Sequence, residues 1–322
     1  MTTDLKQSMR FFDQNATCEA LPFKSLIESL RSTFRGGCSV PDRHVHSIKG
    51  LTGQGTSLIM PAWNGQYFGV KTVNVFPGNA SLSRPALHST YQLFDANTGV
   101  PIAQMDGDVI TARRTAAASA LAASYLARAT AKRLLVVGAG RVASLLPEAY
   151  LEVFDLDEIA VWSRDRSKLA AMVQTLRCKG LNVIEAGDLA EGVRRADIVS
   201  CATLATIPIV QGAWLRPGSH LDLIGSFTPE MREADDDAFT CAHVFVDTEE
   251  ALKKSGDLLG PFATGALARS DIRGTLRELC LGIRPWRSDV GVRTIFKSVG
   301  TALEDLAAAI QVYEHCDSLP DE

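Results

Sequence analysis

A short apolar run followed by two closely spaced glycines constrains the fold of this chain more than any other feature. Residues Arg133–Val137 read Arg-Leu-Leu-Val-Val and lead into Gly138-Ala139-Gly140-Arg141-Val142-Ala143. The G-x-G-x-x-A spacing between a strand and a helix is typical of a turn that binds a dinucleotide pyrophosphate. The first glycine permits the tight turn, the second lets the backbone approach the phosphates, and the small third residue lets helix and strand pack closely. An ordinary glycine turn in a βα loop is the alternative. The pattern predicts cofactor contacts from Gly138, Ala139, Gly140, Arg141 and Val142.

The rest of the chain supports a two-domain α/β protein. A length of 322 residues is about twice the usual domain size. After residue 133, apolar runs at 158–162, 183–184, 197–201, 220–224 and 243–246 alternate with helical segments, which predicts a doubly wound parallel sheet of the Rossmann type. Before it, a helix at 22–34 precedes β-like runs at 56–61, 67–73 and 89–95. An apolar helical pattern at 301–313 must pack on another element.

The end of the second predicted Rossmann strand distinguishes between cofactors. An acidic residue there would bind a ribose 2′-hydroxyl, but Trp162 is followed by Ser163, Arg164, Asp165 and Arg166. A hydroxyl and two guanidinium groups suit a 2′-phosphate, which a carboxylate would repel. We therefore expect NADPH, with NADH possible. In the alternative interpretation the arginines begin a solvated helix and Asp165 binds the ribose.

Composition excludes several other classes of protein. The net charge is −4 and no Lys/Arg-rich run occurs, so a nucleic-acid partner is not expected. The seven cysteines are scattered, which predicts neither disulfides nor a metal site and indicates the cytoplasm. The start of the chain lacks a signal-peptide pattern. The Ala-rich stretch 115–129 is shorter than the roughly 20 residues of a membrane span, so we expect a buried helix and no membrane partner.

Three cations beside apolar sequence are candidates for binding an acidic substrate. They are Arg43, Lys71 and Arg114. Lys71 lies inside a β-like run, where a buried ammonium is costly unless an anion compensates it. Each of the three could equally be a surface or structural ion pair. His88 is a weaker catalytic candidate.

Several segments together resemble the ornithine cyclodeaminase/mu-crystallin family. They are residues 69–73, 93–99, 111–120, 138–140 and 296–300 with Glu304 and Asp305. The resemblance implies a discontinuous α+β domain, residues 1–114 plus 297–322, that binds substrate and forms a homodimer. A Rossmann domain, residues 115–296, is inserted in it. By the same resemblance, Arg43, Lys71 and Arg114 surround a substrate carboxylate.

The resemblance also implies which residues lie near the nicotinamide. They are Thr203, Ile224 and the turn formed by Lys297 and Ser298. True cyclodeaminases carry an Asp after the fifth Rossmann strand, but here Phe227 stands at that position and cannot act as a base. Residues 224–229 are instead similar to those of bacterial Δ1-pyrroline-2-carboxylate reductases.

The resemblance therefore implies an oxidoreductase that reduces a small cyclic imino acid. NAD(P)H would reduce Δ1-pyrroline-2-carboxylate to L-proline, with the reduction of Δ1-piperideine-2-carboxylate to L-pipecolate as a second candidate reaction. We expect Lys71, its pKa lowered by Arg43 and Arg114, to supply the proton, with His88 as second choice. Ornithine cyclodeaminase, alanine dehydrogenase and a non-catalytic crystallin-like NADPH- or ligand-binding protein are the alternatives.

Overall fold

The chain forms two β-sheets, each with its own set of helices. A computed structural model describes residues 9–51, 53–82, 84–283 and 291–317. Unit 1 comprises Met1–Arg114 with Thr301–Glu322, and unit 2 comprises Thr115–Gly300. The sequence analysis places the return to the first domain at Lys297. This residue ends a strand of the second sheet, and the chain re-enters unit 1 at Thr301.

The sheet of unit 1 contains six strands in the order β1-β6-β5-β4-β3-β2. The elements are β1 Arg10–Phe12, α1 Gln14–Glu19, α2 Phe23–Gly36, β2 His44–Lys49, β3 Gln54–Trp63, β4 Tyr67–Val75, β5 Leu87–Asp95, β6 Pro101–Asp106 and α3 Gly107–Leu126. The predicted helix at 22–34 and the three predicted β-like runs are confirmed as α2, β3, β4 and β5. The sequence analysis missed β1, β2 and β6, because β1 is very short and β2 is exposed along its whole length, so neither shows a buried face.

Strand β4 shows the two-residue alternation of a sheet with one covered face. Tyr67, Gly69, Lys71 and Val73 are buried, whereas the residues between them are half-buried. Register places Met60, Lys71 and Tyr91 directly opposite one another on β3, β4 and β5. Lys71 therefore points to the covered face, among apolar and aromatic neighbours.

The sheet of unit 2 contains eight parallel strands in the order β13-β12-β14-β11-β10-β7-β8-β9. The elements are β7 Arg133–Val137, α4 Leu146–Leu151, β8 Glu158–Trp162, α5 Arg166–Cys178, β9 Val183–Glu185, α6 Leu189–Arg195, β10 Ile198–Cys201, β11 His220–Leu223, β12 Ala242–Val246, α7 Ala251–Lys254, α8 Gly256–Thr264, β13 Ile272–Thr275, α9 Leu276–Leu281 and β14 Arg293–Lys297. The five later strands that the alternating pattern predicts are confirmed. Strand order reverses between β7 and β10. In parallel α/β sheets, ligands bind in the crevice at the carboxyl ends of the strands where such a reversal occurs.

The last helix, α10, extends over Ala302–Asp317 and packs on α2, β3 and β4. Its apolar residues Leu303, Leu306 and Ala307 are buried, as their helical spacing predicts. The Ala-rich stretch is also a buried helix, although α3 begins at Gly107, earlier than predicted. None of the helices in the described ranges has the length and apolar character needed to cross a membrane.

Glycine at position 69 is required by the side chain of Tyr91. A Cβ atom at this position would lie 2.0 Å from the Tyr91 hydroxyl oxygen and 2.6 Å from the adjacent ring carbon. Gly69→Ala should therefore lower the free energy of unfolding by about 1–3 kcal/mol, measured by urea denaturation. Gly65→Ala, whose added methyl meets no atom within 4 Å, is the control. Equal stability of the two variants would contradict the packing described here. The Tyr91→Phe background should reduce the cost of Gly69→Ala.

Candidate functional site

A buried cluster of four charged side chains lies in unit 1. The Lys71 ammonium is 2.6 Å from Asp305 Oδ2. The Arg114 guanidinium donates to Asp305 Oδ1 at 2.9 Å and to Glu304 Oε2 at 2.6 Å. All four side chains are at most 7% exposed. Breaking such a pair by removing one partner costs about 3–5 kcal/mol, so the cluster holds its members in one arrangement.

Strand β4 positions the Lys71 side chain, and Asp305 stabilises its ammonium charge. Burial and the Arg114 charge lower the pKa of Lys71, and the Asp305 carboxylate opposes them. Together these effects bring the pKa to about 8. The sequence analysis attributes this depression to Arg43 and Arg114. Burial is in fact the largest cause, and the Arg114 charge acts in the same direction. Near neutral pH the ammonium is protonated yet acidic enough to release its proton.

The Lys71 ammonium has one donor left after its two contacts. It reaches Asp305 and donates to Thr111 Oγ1 at 3.2 Å, and an ammonium carries three protons. The pairing with Asp305 shows that Lys71 takes part in a structural ion pair, which was the alternative interpretation in the sequence analysis. Glu304 and Asp305, in the first turn of α10, received no role in the sequence analysis because acids at a helix start usually interact with solvent or the helix dipole.

Arg43 and His88 lie outside this cluster. Arg43 is half-buried and immediately precedes β2. The β2–β3 pairing begins at His44 and Ile59. If it continued by one residue, Arg43 would lie opposite Met60, the β3 residue that pairs with Lys71. His88 is exposed on β5, opposite Asn74 and three residues from Tyr91. An odd separation along a strand places it on the other face from Lys71. The structure therefore does not bring His88 to the cluster.

Tyr91 is a further buried group beside the cluster that the sequence analysis did not identify. Its side chain is 1% exposed, and burial raises the pKa of its hydroxyl well above the usual value, with the Asp305 charge acting in the same direction. The phenol is thus neutral over the physiological range. A tyrosine in a β-like run has the same sequence pattern whether it lies beside a charged cluster or among ordinary core residues, so the sequence does not single out Tyr91.

The glycine turn of unit 2 has the backbone that its sequence requires. Gly138 has a φ of 126°, and a Cβ atom there would lie 2.5 Å from the Ala202 carbonyl oxygen. Gly140 is exposed and faces open space, so a phosphate group could approach its backbone, whereas Ala143 is fully buried. The turn does not lead directly into an α-helix as expected. A single 3₁₀ turn, Ala143–Leu145, precedes α4.

The four residues that follow β8, residues 163–166, are the ones considered for binding the cofactor ribose, and their side chains have different contacts. Asp165 caps α5, accepting from Lys168 N at 3.1 Å and from Ser167 Oγ at 2.7 Å. Arg166 donates to the Gly187 carbonyl at 2.9 Å, so its guanidinium is engaged by its own unit. Ser163 Oγ accepts from Asp165 N at 3.3 Å. Arg164 is exposed, and no hydrogen bond or ion pair holds it within the described ranges.

The four residues predicted near the nicotinamide follow strands β10, β11 and β14, at the same sheet edge as Gly138. Thr203 donates from N and Oγ1 to Glu233, and Ile224 is largely buried. Lys297 is fully buried, and its ammonium donates to the Leu223 carbonyl at 2.9 Å. Ser298 N donates to the same carbonyl at 3.2 Å. The side chains of Thr203 and Lys297 are thus hydrogen-bonded to groups inside unit 2.

Buried acids behind this edge were not identified from the sequence. Glu233 and Asp257 are fully buried, and Asp247 accepts from Val299 N and Gly300 N, both at 2.7 Å. An acid in a loop is usually solvated, so sequence pattern alone does not distinguish these three from the exposed acids nearby.

The loop after β11 carries Phe227, which is 51% exposed. Of the acids that follow it, Asp235 caps the turn Asp236–Ala238 and accepts from Gly212 N at 2.8 Å. Asp236 pairs with Arg232. Both side chains therefore have structural partners. Among the described residues, no group of three His, Cys, Asp or Glu side chains is arranged to hold a metal ion.

Known proteins match almost the whole chain. The model of the ornithine cyclodeaminase/mu-crystallin family matches residues 12–319. A Delta(1)-pyrroline-2-carboxylate reductase of Paracoccus denitrificans is 37% identical, covering 90% of this chain and 91% of that protein. The Delta(1)-pyrroline-2-carboxylate reductase of Thermococcus litoralis, solved with NADH and L-proline, superposes with a TM-score of 0.88 at 30% identity, covering 96% and 97% of the two chains. An archaeal alanine dehydrogenase dimer with bound NAD gives a TM-score of 0.87 at 27% identity over 96% of each chain. The chain belongs to the ornithine cyclodeaminase/mu-crystallin family.

Proposed function

We propose that this protein is an NAD(P)H-dependent reductase of small cyclic imino acids. The substrate is Δ1-pyrroline-2-carboxylate, with Δ1-piperideine-2-carboxylate as a second candidate, and the products are L-proline and L-pipecolate. The observation that carries the proposal is the buried Lys71 beside Arg114, because these groups supply a proton and directional donors for a carboxylate. The relatives that reduce Δ1-pyrroline-2-carboxylate support the same assignment.

The residues present fit a dinucleotide in unit 2. The Gly138–Gly140 backbone leaves room for a pyrophosphate, and Thr203, Ile224, Lys297 and Ser298 line the same sheet edge. When bound, the nicotinamide supplies hydride to the C=N carbon. Arg114 and Arg43 hold the substrate carboxylate, which orients the imine and excludes uncharged imines. Lys71 provides the proton for the nitrogen.

A screen of candidate substrates tests the proposal. NADPH and NADH oxidation should be followed with each of the two cyclic imines and with pyruvate plus ammonia, and ornithine should be tested for ammonia release. Phe227 in place of a catalytic acid argues against ornithine cyclodeamination. Turnover of pyruvate with ammonia, and not of the imines, would indicate an alanine dehydrogenase. Dinucleotide binding without turnover of any of these substrates would indicate a crystallin-like binding protein.

Substitution of Lys71 separates its chemical role from a structural one. Lys71→Met fills the same buried space without an ionisable group, so turnover should fall about 10²–10⁴-fold while dinucleotide affinity stays unchanged. Because the pKa of Lys71 is lowered to about 8, wild-type turnover should decline as pH rises through about 8 and the proton is lost. Steady-state rates and dinucleotide titration measure both effects.

The control for this variant is Lys49→Met, at the exposed end of β2. It should leave rates and the pH profile as in the wild type. A matching loss of dinucleotide affinity in Lys71→Met would contradict the assignment, since it would indicate that the substitution perturbs the structure or the cofactor site.

We further propose a preference for NADPH over NADH. The support is Arg164, an exposed guanidinium at the end of β8, together with the use of Asp165 as a helix cap. Arg166 is engaged with backbone carbonyls, which leaves Arg164 and Ser163 as the groups for a 2′-phosphate.

Arg164→Ala should weaken NADPH binding roughly tenfold and leave NADH binding nearly unchanged, because a charge-assisted hydrogen bond to phosphate is lost. Titration of both cofactors by fluorescence measures the ratio. Arg194→Ala, an exposed arginine of α6, is the control. An unaltered NADPH/NADH ratio in Arg164→Ala would exclude the 2′-phosphate role.

We also propose that the protein is a cytoplasmic homodimer, formed through the uncovered face of the unit 1 sheet. This face carries a half-buried apolar patch formed by Phe68, Phe94, Val70, Ile59 and Pro61, beside the polar Thr72 and Gln92. The Phe68 and Phe94 rings stack with centroids 5.2 Å apart. Contiguous apolar surface of this kind marks an interaction site. The six cysteines whose side chains are described form no disulfide with one another, in keeping with a reducing compartment.

A charge at the centre of this face should separate the subunits. Val70→Glu buries a carboxylate in the interface, so light scattering after gel filtration should give a mass near 34.7 kDa in place of twice that value. Leu82→Glu, an exposed position in a 3₁₀ turn, is the control and should remain dimeric. A Val70→Glu dimer would place the interface elsewhere.

A further inference from the structure

A fully buried carboxylate joins two loops at the cofactor edge of unit 2. Glu233 Oε1 accepts from Thr203 N at 2.7 Å and from Thr203 Oγ1 at 2.8 Å, and Oε2 accepts from Gly225 N at 2.6 Å. All three partners donate, which is the arrangement that an ionised carboxylate satisfies best. The side chain therefore connects the residue two positions after β10 to the residue two positions after β11.

The two loops are in contact where Glu233 joins them. A Cβ atom on Gly225 would lie 1.8 Å from the Thr203 carbonyl oxygen and 2.6 Å from Glu233 Oε1. On the other side, the Gly138 turn abuts Ala202, the residue before Thr203. Any change in the Thr203–Gly225 spacing thus alters the backbone that borders the dinucleotide turn.

Asp257 holds Glu233 in turn. Asp257 Oδ1 accepts from Glu233 N at 2.8 Å and from Ala234 N at 3.2 Å, and Asp257 Oδ2 lies 3.7 Å from the Lys297 ammonium. The main chain of Glu233 and its carboxylate are therefore both fixed.

We propose that Glu233 is a positioning residue for the cofactor, which fixes the Thr203 and Gly225 loops at the spacing that the nicotinamide end of the dinucleotide requires. The inference rests on the proposed binding of NAD(P)H to unit 2. Glu233 touches neither cofactor nor substrate in this assignment. It acts through the two backbone segments that do.

The charge of Glu233 makes the role testable by pH. Burial raises the pKa of Glu233 to about 8, the Lys297 ammonium opposes this shift, and the Asp257 carboxylate adds to it. Cys201 on β10 also interacts with Glu233, and its own pKa is raised well above the usual value by burial. A protonated carboxyl is a weaker acceptor for three donors. Cofactor affinity should therefore increase as pH rises through about 8.

The test compares wild type with Glu233→Gln by titrating NADH and NADPH between pH 7 and pH 9. The glutamine amide has one oxygen, which can accept from either Thr203 N or Gly225 N. Its NH₂ group then faces the N–H of the other residue and cannot accept from it, so at least one hydrogen bond is lost. Both cofactors should bind roughly tenfold more weakly, and the rise in affinity with pH should disappear. Since the effect is shared by NADH and NADPH, it is distinct from binding of the 2′-phosphate.

Asp222→Asn is the matched control, because Asp222 is another fully buried acid of unit 2 that accepts from Ser200, Ser119 and Tyr150 hydroxyls. It should keep the pH dependence of cofactor binding. Thr203→Val removes the hydroxyl that donates to Glu233 and also accepts from Ala205 N at 3.3 Å, but it keeps the Thr203 N–H bond to Glu233. This variant should weaken binding by roughly threefold while keeping the pH dependence, even if Glu233→Gln does not fold.

Wild-type affinity and pH dependence in Glu233→Gln would overturn the inference. So would an unchanged affinity in Thr203→Val if Glu233→Gln is unfolded. Failure of the wild-type protein to bind either dinucleotide would instead refute the proposed function. The two failures are thus distinguishable in the same set of titrations.

Discussion

The contact between Lys71 and Asp305 is the interaction on which the unit 1 site depends. Strand alternation directs the Lys71 side chain to the covered face of the sheet, where an unpaired ammonium would cost several kcal/mol. Asp305 comes from α10, far from Lys71 in the sequence, and also binds Arg114. The return of the chain to unit 1 therefore supplies more than packing for the sheet. It supplies the charge that allows a lysine to be buried there.

Pattern in the sequence predicted the parts of the fold that are governed by local rules. Parallel strands buried on both faces are recognisable as apolar runs, and strands β7 to β12 were predicted this way, whereas β13 and β14 were not. The glycine turn was recognisable because only glycine tolerates the φ of residue 138 and the approach of Ala202. Strand β2 is exposed throughout, so its residues carried no periodic signal, and its presence depends on pairing with β3.

Side-chain partners within the candidate site were less accessible to sequence reasoning. The cost of burying Lys71 required a partner, but nothing in the sequence near Lys71 identified it as Asp305. Glu233 and Asp257 look like solvated loop acids until the fold buries them. Arg43 and Arg114 were candidates as cations beside apolar sequence, and the resemblance to the family placed them around a substrate carboxylate. Neither argument showed that Arg114 already donates to two carboxylates. These relations are tertiary, since the residues concerned are far apart in sequence.

The charge balance of the cluster bears on how it can bind an anion. Lys71 and Arg114 carry two positive charges, and Glu304 and Asp305 carry two negative ones, so Coulomb attraction from these four groups largely cancels at a distance. A carboxylate bound there would depend on directional donors, such as the remaining Lys71 proton, and on a further cation. Arg43, which immediately precedes β2, is the cation that we propose for this role. In that proposal the acids would orient the donors, and recognition of the substrate would follow geometry more than net charge.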